Sequence, residues 1–306
     1  MSQPPSGGGT APPFPGLEGV PGDIVYLRLP RPAELFERRA ARFRELAPGN
    51  PMGEFLDALS HLARAQLQAL SRLAPSIGSD AGLKGRRLAA AIPLRATAWQ
   101  RDPAWREGLS ALVSAMKAVS LPGPAAAALA RLERAAPAEL EALADALLSG
   151  EGPALDLGMA PFAAAALQVY FAALAEAVPA AEVERSHAGC PVCGSPPVAG
   201  VVTGDDRLRY LTCSLCGSEW NLTRVQCWDC RATGGITYLA LDGEPGLKAE
   251  LCAGCGTYLK LFYREKRPAA EPFADDVASL TLDLLAAEEG WARGGVNLFL
   301  LGGAEG

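Results

Sequence analysis

Between residues 32 and 180 the apolar positions return at the helical period. Phe36, Ala40, Phe43 and Ala47 recur at spacings of four, three and four, with "PGN" after them as a stop. The arginines of "FERRAARFREL", among them Arg38, Arg39 and Arg42, are read as a basic face on the other side of that helix. A second stripe runs through Leu56, Leu59, Ala63, Leu67 and Leu70, a third through Leu109, Leu112, Met116 and Val119, and a fourth through Leu140, Leu143 and Leu147. The Pro and Gly clusters "PGNP", "LPGP" and "SGEGP" separate them. Leu157–Ala175 is uncharged for 19 residues, close to membrane-spanning length. Pro161 and Gln168 interrupt it and weakly apolar Ala dominates it, so it is expected to be the buried helix of a bundle.

After "AVPAAEVERSHAG" the period changes. The runs "LRYLT", "EWNLTRV", "ITYLAL" and "YLKLFY" carry the aromatic and β-branched residues of strands, with turns between them. From Phe273 a helical stripe returns through Val277, Leu280, Leu284, Ala287 and Trp291, predicting a single C-terminal helix that ends at "GG" and a short tail containing "VNLFLL". The expected class is α+β. Its parts are a disordered Pro/Gly-rich leader (1–30), an α-helical domain (31–182), two tandem zinc-ribbon-like modules (187–226 and 227–267), and a C-terminal helix and tail (268–306).

The chain has eight cysteines, and all stand in C-x-x-C pairs: Cys190/Cys193, Cys213/Cys216, Cys227/Cys230 and Cys252/Cys255. The pairs are separated by 19, 10 and 21 residues. An internal repeat aligns "LRYLTCSLCGSEWNL" with "LKAELCAGCGTYLKL", so one unit is a pair, about 20 residues, and a second pair. This groups Cys190, Cys193, Cys213 and Cys216 around one metal and Cys227, Cys230, Cys252 and Cys255 around another; a cross-braced grouping of first pair with third is the alternative. Two intervening residues let both thiolates of a pair face one cation, and two such turns close a tetrahedral four-cysteine site. A glycine follows the second cysteine in "CPVCG", "CSLCG" and "CAGCG", where a positive φ is easily adopted; in "CWDCR" Arg231 must accept that geometry, or the turn is shaped differently. If metal binding drives folding, each module is expected to fold on its own metal while the helical half stands apart.

Composition narrows the chemistry. The apolar content, 49%, suffices for a packed core. With neither a basic start nor an apolar run at the N-terminus, the chain is expected to be cytoplasmic, where structural disulfides are disfavoured. Residues 187–267 hold nine basic and eight acidic side chains, too balanced for the basic face of a nucleic-acid binder. The two histidines, His61 and His187, are read as helix surface and linker surface, and no catalytic constellation surrounds them, which points away from an enzyme. Four thiolates suit iron and zinc alike.

The motifs "CPVCGS", "LRYLTCSLCGSEWNLTRVQC", "LKAELCAGCGTYLKLFYREK" and "ADDVASLTLDLLAAEEGWARGGVNLFLL" resemble those of the formate dehydrogenase accessory protein FdhE family, and "RRAARFRELAPGNPMGEFLDAL" resembles that family's N-terminal motif. The likeness covers about residues 31–301. Trp291 stands for an expected tyrosine and "NLFL" for "NPFL"; neither is a candidate ligand. The resemblance implies a cytoplasmic maturation factor whose two modules are rubredoxin-like and bind iron, with zinc as the alternative. Its partner would be the catalytic, molybdenum- or tungsten-containing subunit of a respiratory formate dehydrogenase, met before export, with no nucleic acid and no membrane insertion. Two other readings are a rubredoxin-like electron carrier and a zinc-ribbon nucleic-acid-binding regulator. The tail and the basic face of the first helix are the candidate partner surfaces; against this, the tail would pack onto the helical domain and the arginines would form a solvated face.

Overall fold

Six helices make up the first half of the computed structural model, which describes residues 24–77, 92–150, 155–185, 189–204 and 207–301. They are α1 (Pro32–Leu46), α2 (Gly53–Ile77), α3 (Ala104–Met116), α4 (Gly123–Arg134), α5 (Pro137–Ser149) and α6 (Ala160–Glu176). Proline at or next to the first position starts α1, α4, α5 and α6, where its fixed φ costs nothing and its missing N–H is not needed. The α6 helix is the axis of the bundle: every residue from Phe162 to Ala175 is buried, against α1, α2, α3 and α5. Its alanines let those helices approach closely, so the uncharged stretch is covered by protein. No helix among the described residues is long and apolar enough to cross a membrane.

The inner positions of the stripes are buried as expected: Phe36, Ala40 and Phe43 on α1, Leu56, Leu59 and Ala63 on α2, Leu109, Leu112 and Met116 on α3, and Leu140, Leu143 and Leu147 on α5. Most of the predicted leader, residues 1–23, lies outside the described residues, as do His187 and residues 302–306.

The second half is one continuous sheet. Its strands are β1 (Leu27–Arg28), β2 (Pro197–Thr203), β3 (Leu208–Cys213), β4 (Glu219–Asn221), β5 (Ile236–Leu239), β6 (Leu247–Cys252), β7 (Thr257–Tyr263) and β8 (Ala292–Arg293), in the order β1-β4-β3-β2-β7-β6-β5 with β8 alongside β7. Each repeat supplies an antiparallel set, β2-β3-β4 and β5-β6-β7. The two sets join where β2 pairs parallel to β7, Gly200 opposite Leu261 and Val202 opposite Tyr263. The end of the predicted leader is ordered, since β1 lies within it and its Leu27 pairs with Trp220 at the edge of the sheet.

At the chain's end one expectation needs correction and one open alternative is decided. The C-terminal helix is two, α7 (Pro272–Ala278) and α8 (Leu280–Glu288), broken at Ser279. The break rotates the face presented to the core: Leu282 and Ala286 are buried, whereas Leu284 is 66% exposed and Ala287 is exposed. The tail is core, not a free surface, because Phe299 is 3% exposed and packs its ring 6.4 Å from Phe43 and 6.0 Å from Phe273. Nor do the α1 arginines form a basic face. Arg38 is exposed, but Arg39 is 1% exposed and Arg42 is largely covered.

These arginines meet the acids of α7. Arg39 Nε donates to Glu271 Oε1 at 3.1 Å, its Nη1 donates to Gln168 Oε1 of α6 at 3.1 Å, and its guanidinium lies 3.7 Å from the centre of the Phe273 ring. Arg42 clamps Asp275 with two bonds of 2.8 and 2.7 Å. Gln168 also accepts from Gln66 of α2 at 3.0 Å and donates to the Ser214 carbonyl at 2.9 Å, so a single buried amide joins the bundle to the first cysteine module. Asp276 is paired from the sheet side, by Lys260 of β7 at 3.2 Å and by Arg293 of β8. Burial would raise its pKa, but Lys260 and Arg293 hold Asp276 below the usual carboxylate range.

Removing one partner of a buried pair leaves the other charge desolvated. Arg39→Met is therefore expected to lower the unfolding free energy by about 3–5 kcal/mol in urea titrations followed by circular dichroism. Arg38→Met, on the exposed neighbour, is expected to change it by no more than about 0.5 kcal/mol. Equal effects would place Arg39 outside the core network.

Candidate metal centres

Each C-x-x-C pair sits on a tight turn beside a strand. Cys190–Cys193 precedes β2, Cys213–Cys216 links β3 to β4, Cys227–Cys230 precedes β5, and Cys252–Cys255 links β6 to β7. Antiparallel pairing of β2 with β3 brings the first two turns to one end of their hairpin, and β5 with β6 does the same for the last two. The residue after each second cysteine has a positive φ: 81° at Gly194, 73° at Gly217, 72° at Gly256 and 68° at Arg231. Arg231 accepts the left-handed conformation that glycine adopts elsewhere, at a cost of about 1–2 kcal/mol. Its guanidinium and carbonyl are tied to the Gln226 side chain at 2.9 and 3.4 Å.

The structure gathers Cys190, Cys193, Cys213 and Cys216 into one group and Cys227, Cys230, Cys252 and Cys255 into another, the grouping within repeats and not the cross-braced one. No two sulfurs in a group are more than 4.8 Å apart, and none of the eight cysteines is in a disulfide. The nearest sulfurs are 3.3 Å (Cys193, Cys213) and 3.7 Å (Cys190, Cys216) apart in the first group, 3.5 Å (Cys230, Cys252) and 3.7 Å (Cys227, Cys255) in the second. Four thiolates at about 2.3 Å from a common tetrahedral centre would be spaced at about 3.8 Å. Both groups therefore fit a small tetrahedral cation.

The surroundings suit thiolates. Val192 N–H points at Cys190 Sγ, and the N–H groups of Leu215 and Cys216 point at Cys213 Sγ, each at 3.4 Å. Two hydroxyls that sequence reasoning missed occupy equivalent places: Ser218 Oγ is 3.2 Å from Cys216 Sγ and Thr257 Oγ1 is 3.1 Å from Cys255 Sγ. The aligned repeats held the signal, since "CGS" and "CGT" put a hydroxyl two residues after the cysteine in each unit. Such partners orient ligands and spread their charge. Burial pushes the Cys190 and Cys213 thiols well up and Cys227 up to about 12. Against its burial, the Thr257 hydroxyl and N–H bring Cys255 down to about 7. A cation at the centre is what would let all four sulfurs be thiolates at neutral pH.

The helical domain encloses the first group. The segment after α2 runs along its first turn, with Leu94 N–H bonded to the Val192 carbonyl at 2.8 Å and Ala96 N–H to the Cys193 carbonyl at 2.9 Å. Leu35 of α1 lies against Gly217, and Gln168 of α6 holds the Ser214 carbonyl. The other candidates stay apart: His61, on α2, faces Asp57 one turn away at 3.7 Å, on the partly exposed helix surface.

Three family models together match residues 24–300: "FdhE, N-terminal" over residues 24–188, "FdhE, central domain" over 189–224 and "FdhE, C-terminal domain" over 225–300. The chain is 41% identical over 286 residues to "Protein FdhE homolog" of Cronobacter sakazakii and 40% identical over 286 residues to "Protein FdhE" of Escherichia coli, with 92% of both chains covered in each case. Its fold is similar to the crystal structure of the FdhE protein from Pseudomonas aeruginosa, with a TM-score of 0.82 and 36% identity over 91% of this chain and 100% of that one.

The enclosure changes what loss of a ligand should do. The sequence suggested that either module could unfold and leave the helices intact. With Gln168, Leu35 and Leu94 packed on the first group, Cys213→Ser is expected to lower the melting temperature read from the helical circular dichroism signal. Cys252→Ser, at the outer group, is expected to leave that helical transition nearly unchanged. The opposite ranking would contradict the packing argument.

Proposed function

This chain belongs to the FdhE family, and on that premise we propose that it is a cytoplasmic accessory factor that engages the catalytic subunit of a respiratory formate dehydrogenase before export. It acts by binding, not by turning over formate. One iron in each four-cysteine group is the metal content of this reading. The observation that carries it is the presence, in a chain matched by that family over residues 24–300, of two four-cysteine groups spaced for a tetrahedral cation. Bound in these groups, a metal would tie together the two turns of each, and iron would add one-electron redox chemistry.

A rubredoxin-like electron carrier is the second reading, and one observation favours it: Cys230 of the second group is exposed. A sulfur at the surface is the route by which an electron would leave such a centre. Complementation separates the two. In a bacterium lacking its own FdhE, the accessory reading expects this chain to restore formate-dependent dye reduction and to co-purify with the catalytic subunit, and zinc-loaded and iron-loaded protein would differ only if electron transfer matters.

Protein purified without oxygen is expected to hold two metal ions per chain, with the sulfur-to-iron charge-transfer colour of a ferric tetrathiolate that bleaches on reduction. Colourless protein with two zinc ions that still supports maturation would remove iron from the proposal and leave the accessory role.

A further inference from the structure

The two cysteine groups are built by the same repeat and differ in what surrounds them. In the first, every residue of both turns is buried: Gly189 to Cys193 and Cys213 to Ser218. In the second, Cys227 and Cys252 are buried, Trp228 and Cys255 are half-buried, and Asp229, Cys230, Ala253 and Gly254 are exposed. The intervening residues match this contrast. Between its cysteines the first group has Pro191, Val192, Ser214 and Leu215, all buried, and the second has Trp228, half-buried, and Asp229, Ala253 and Gly254, all exposed.

The opening has a definite position. A Cβ built on Gly254 would lie 3.2 Å from Ala232 Cβ, 3.4 Å from Cys230 Sγ and 3.5 Å from Cys252 Sγ, so at this exposed residue no side chain covers the exposed Cys230, while Cys252 beside it stays buried. The adjoining β5 is an edge strand with Thr237 and Tyr238 exposed. The first group has no such path, since the segment at Leu94–Ala96 and helices α1 and α6 lie over its turns.

We propose that the second four-cysteine group is the centre at which this protein exchanges its metal with small sulfur- or nitrogen-donor ligands from solvent, while the first is a closed site that holds the fold. The proposal rests on the reading that both groups hold metal. In the exchange, Cys230 Sγ would give up its place to an incoming donor and, where that donor is a thiol, take up the proton it releases. No electron changes hands. The first group can exchange only after the bundle has opened locally, which makes it slower.

The test uses the full chain reconstituted with zinc and challenged with excess 4-(2-pyridylazo)resorcinol. Two zinc ions bound per chain are required by the underlying reading, and a lower content defeats that reading before the inference is reached. With two bound, one equivalent is expected to leave in a fast phase and the second roughly tenfold or more slowly, as expected for release gated by local opening. Iodoacetamide added after the fast phase should label Cys227, Cys230, Cys252 and Cys255 and spare Cys190, Cys193, Cys213 and Cys216. Gly254 does not have a positive φ, and the methyl of Gly254→Ala would meet Ala232 Cβ at 3.2 Å, so that neighbour must give by a few tenths of an ångström; the methyl should slow the fast phase alone. Release of both ions at one rate, or first labelling at the Cys190 group, would overturn the proposal whether or not that variant folds.

Discussion

Glu271, Asp275 and Asp276 stand within six residues at the start of α7, all buried, and each must find a cation. Taking a carboxylate out of water costs several kcal/mol unless a partner and hydrogen bonds replace the solvent. The partners come from opposite sides of the molecule. Arg39 and Arg42 reach in from α1, Lys260 and Arg293 from the sheet. A two-turn helix thereby becomes the joint between the bundle and the sheet. The same charges fix the tail, since Asn297 donates to Asp276 at 2.9 Å and seats Phe299 between Phe43 and Phe273.

The joint also determines how the two cysteine groups differ. Arg39 shares Gln168 with Gln66, and Gln168 in turn grips Ser214 between two cysteines of the first group. That group is thus part of the same buried polar network as α7. The second group hangs from the far side of the sheet, tied to it by β6 and β7 and by the approach of Trp228 to Gly294. One repeat became a pillar of the core and its copy kept an open face. In this FdhE family member one four-cysteine group is built into the core and the other is open to solvent.

Much of this was legible in the sequence, because the helical stripes and the cysteine spacing depend on local geometry. The spacing and the repeat named the two groups correctly, and the class of fold followed from the change of period near residue 190. What was missed depends on distant partners. Arg39 falls three residues after Phe36 and four before Phe43, on the buried face, and the stripe itself held that signal. Reading it as surface ignored that acids more than 200 residues away could match it. The β2 strand was overlooked since "PVAGVVT" is a continuous apolar run, the mark of a strand buried on both faces, with neither alternation nor aromatics. The stripe through Leu284 failed because the period was carried across Ser279, where the helix breaks.

Through these shared bonds the bundle, the first cysteine group and α7 should open as one body, with the second group outside it. Hydrogen exchange of the metal-loaded full chain, read by peptide mass spectrometry, tests this most directly. Slowest exchange, changing together with denaturant, is expected in α6, residues 92–96, residues 189–203, residues 208–218 and α7, while residues 227–239 and 252–256 exchange well before them. Early exchange of residues 189–203 and 208–218 with α6 still protected would overturn it.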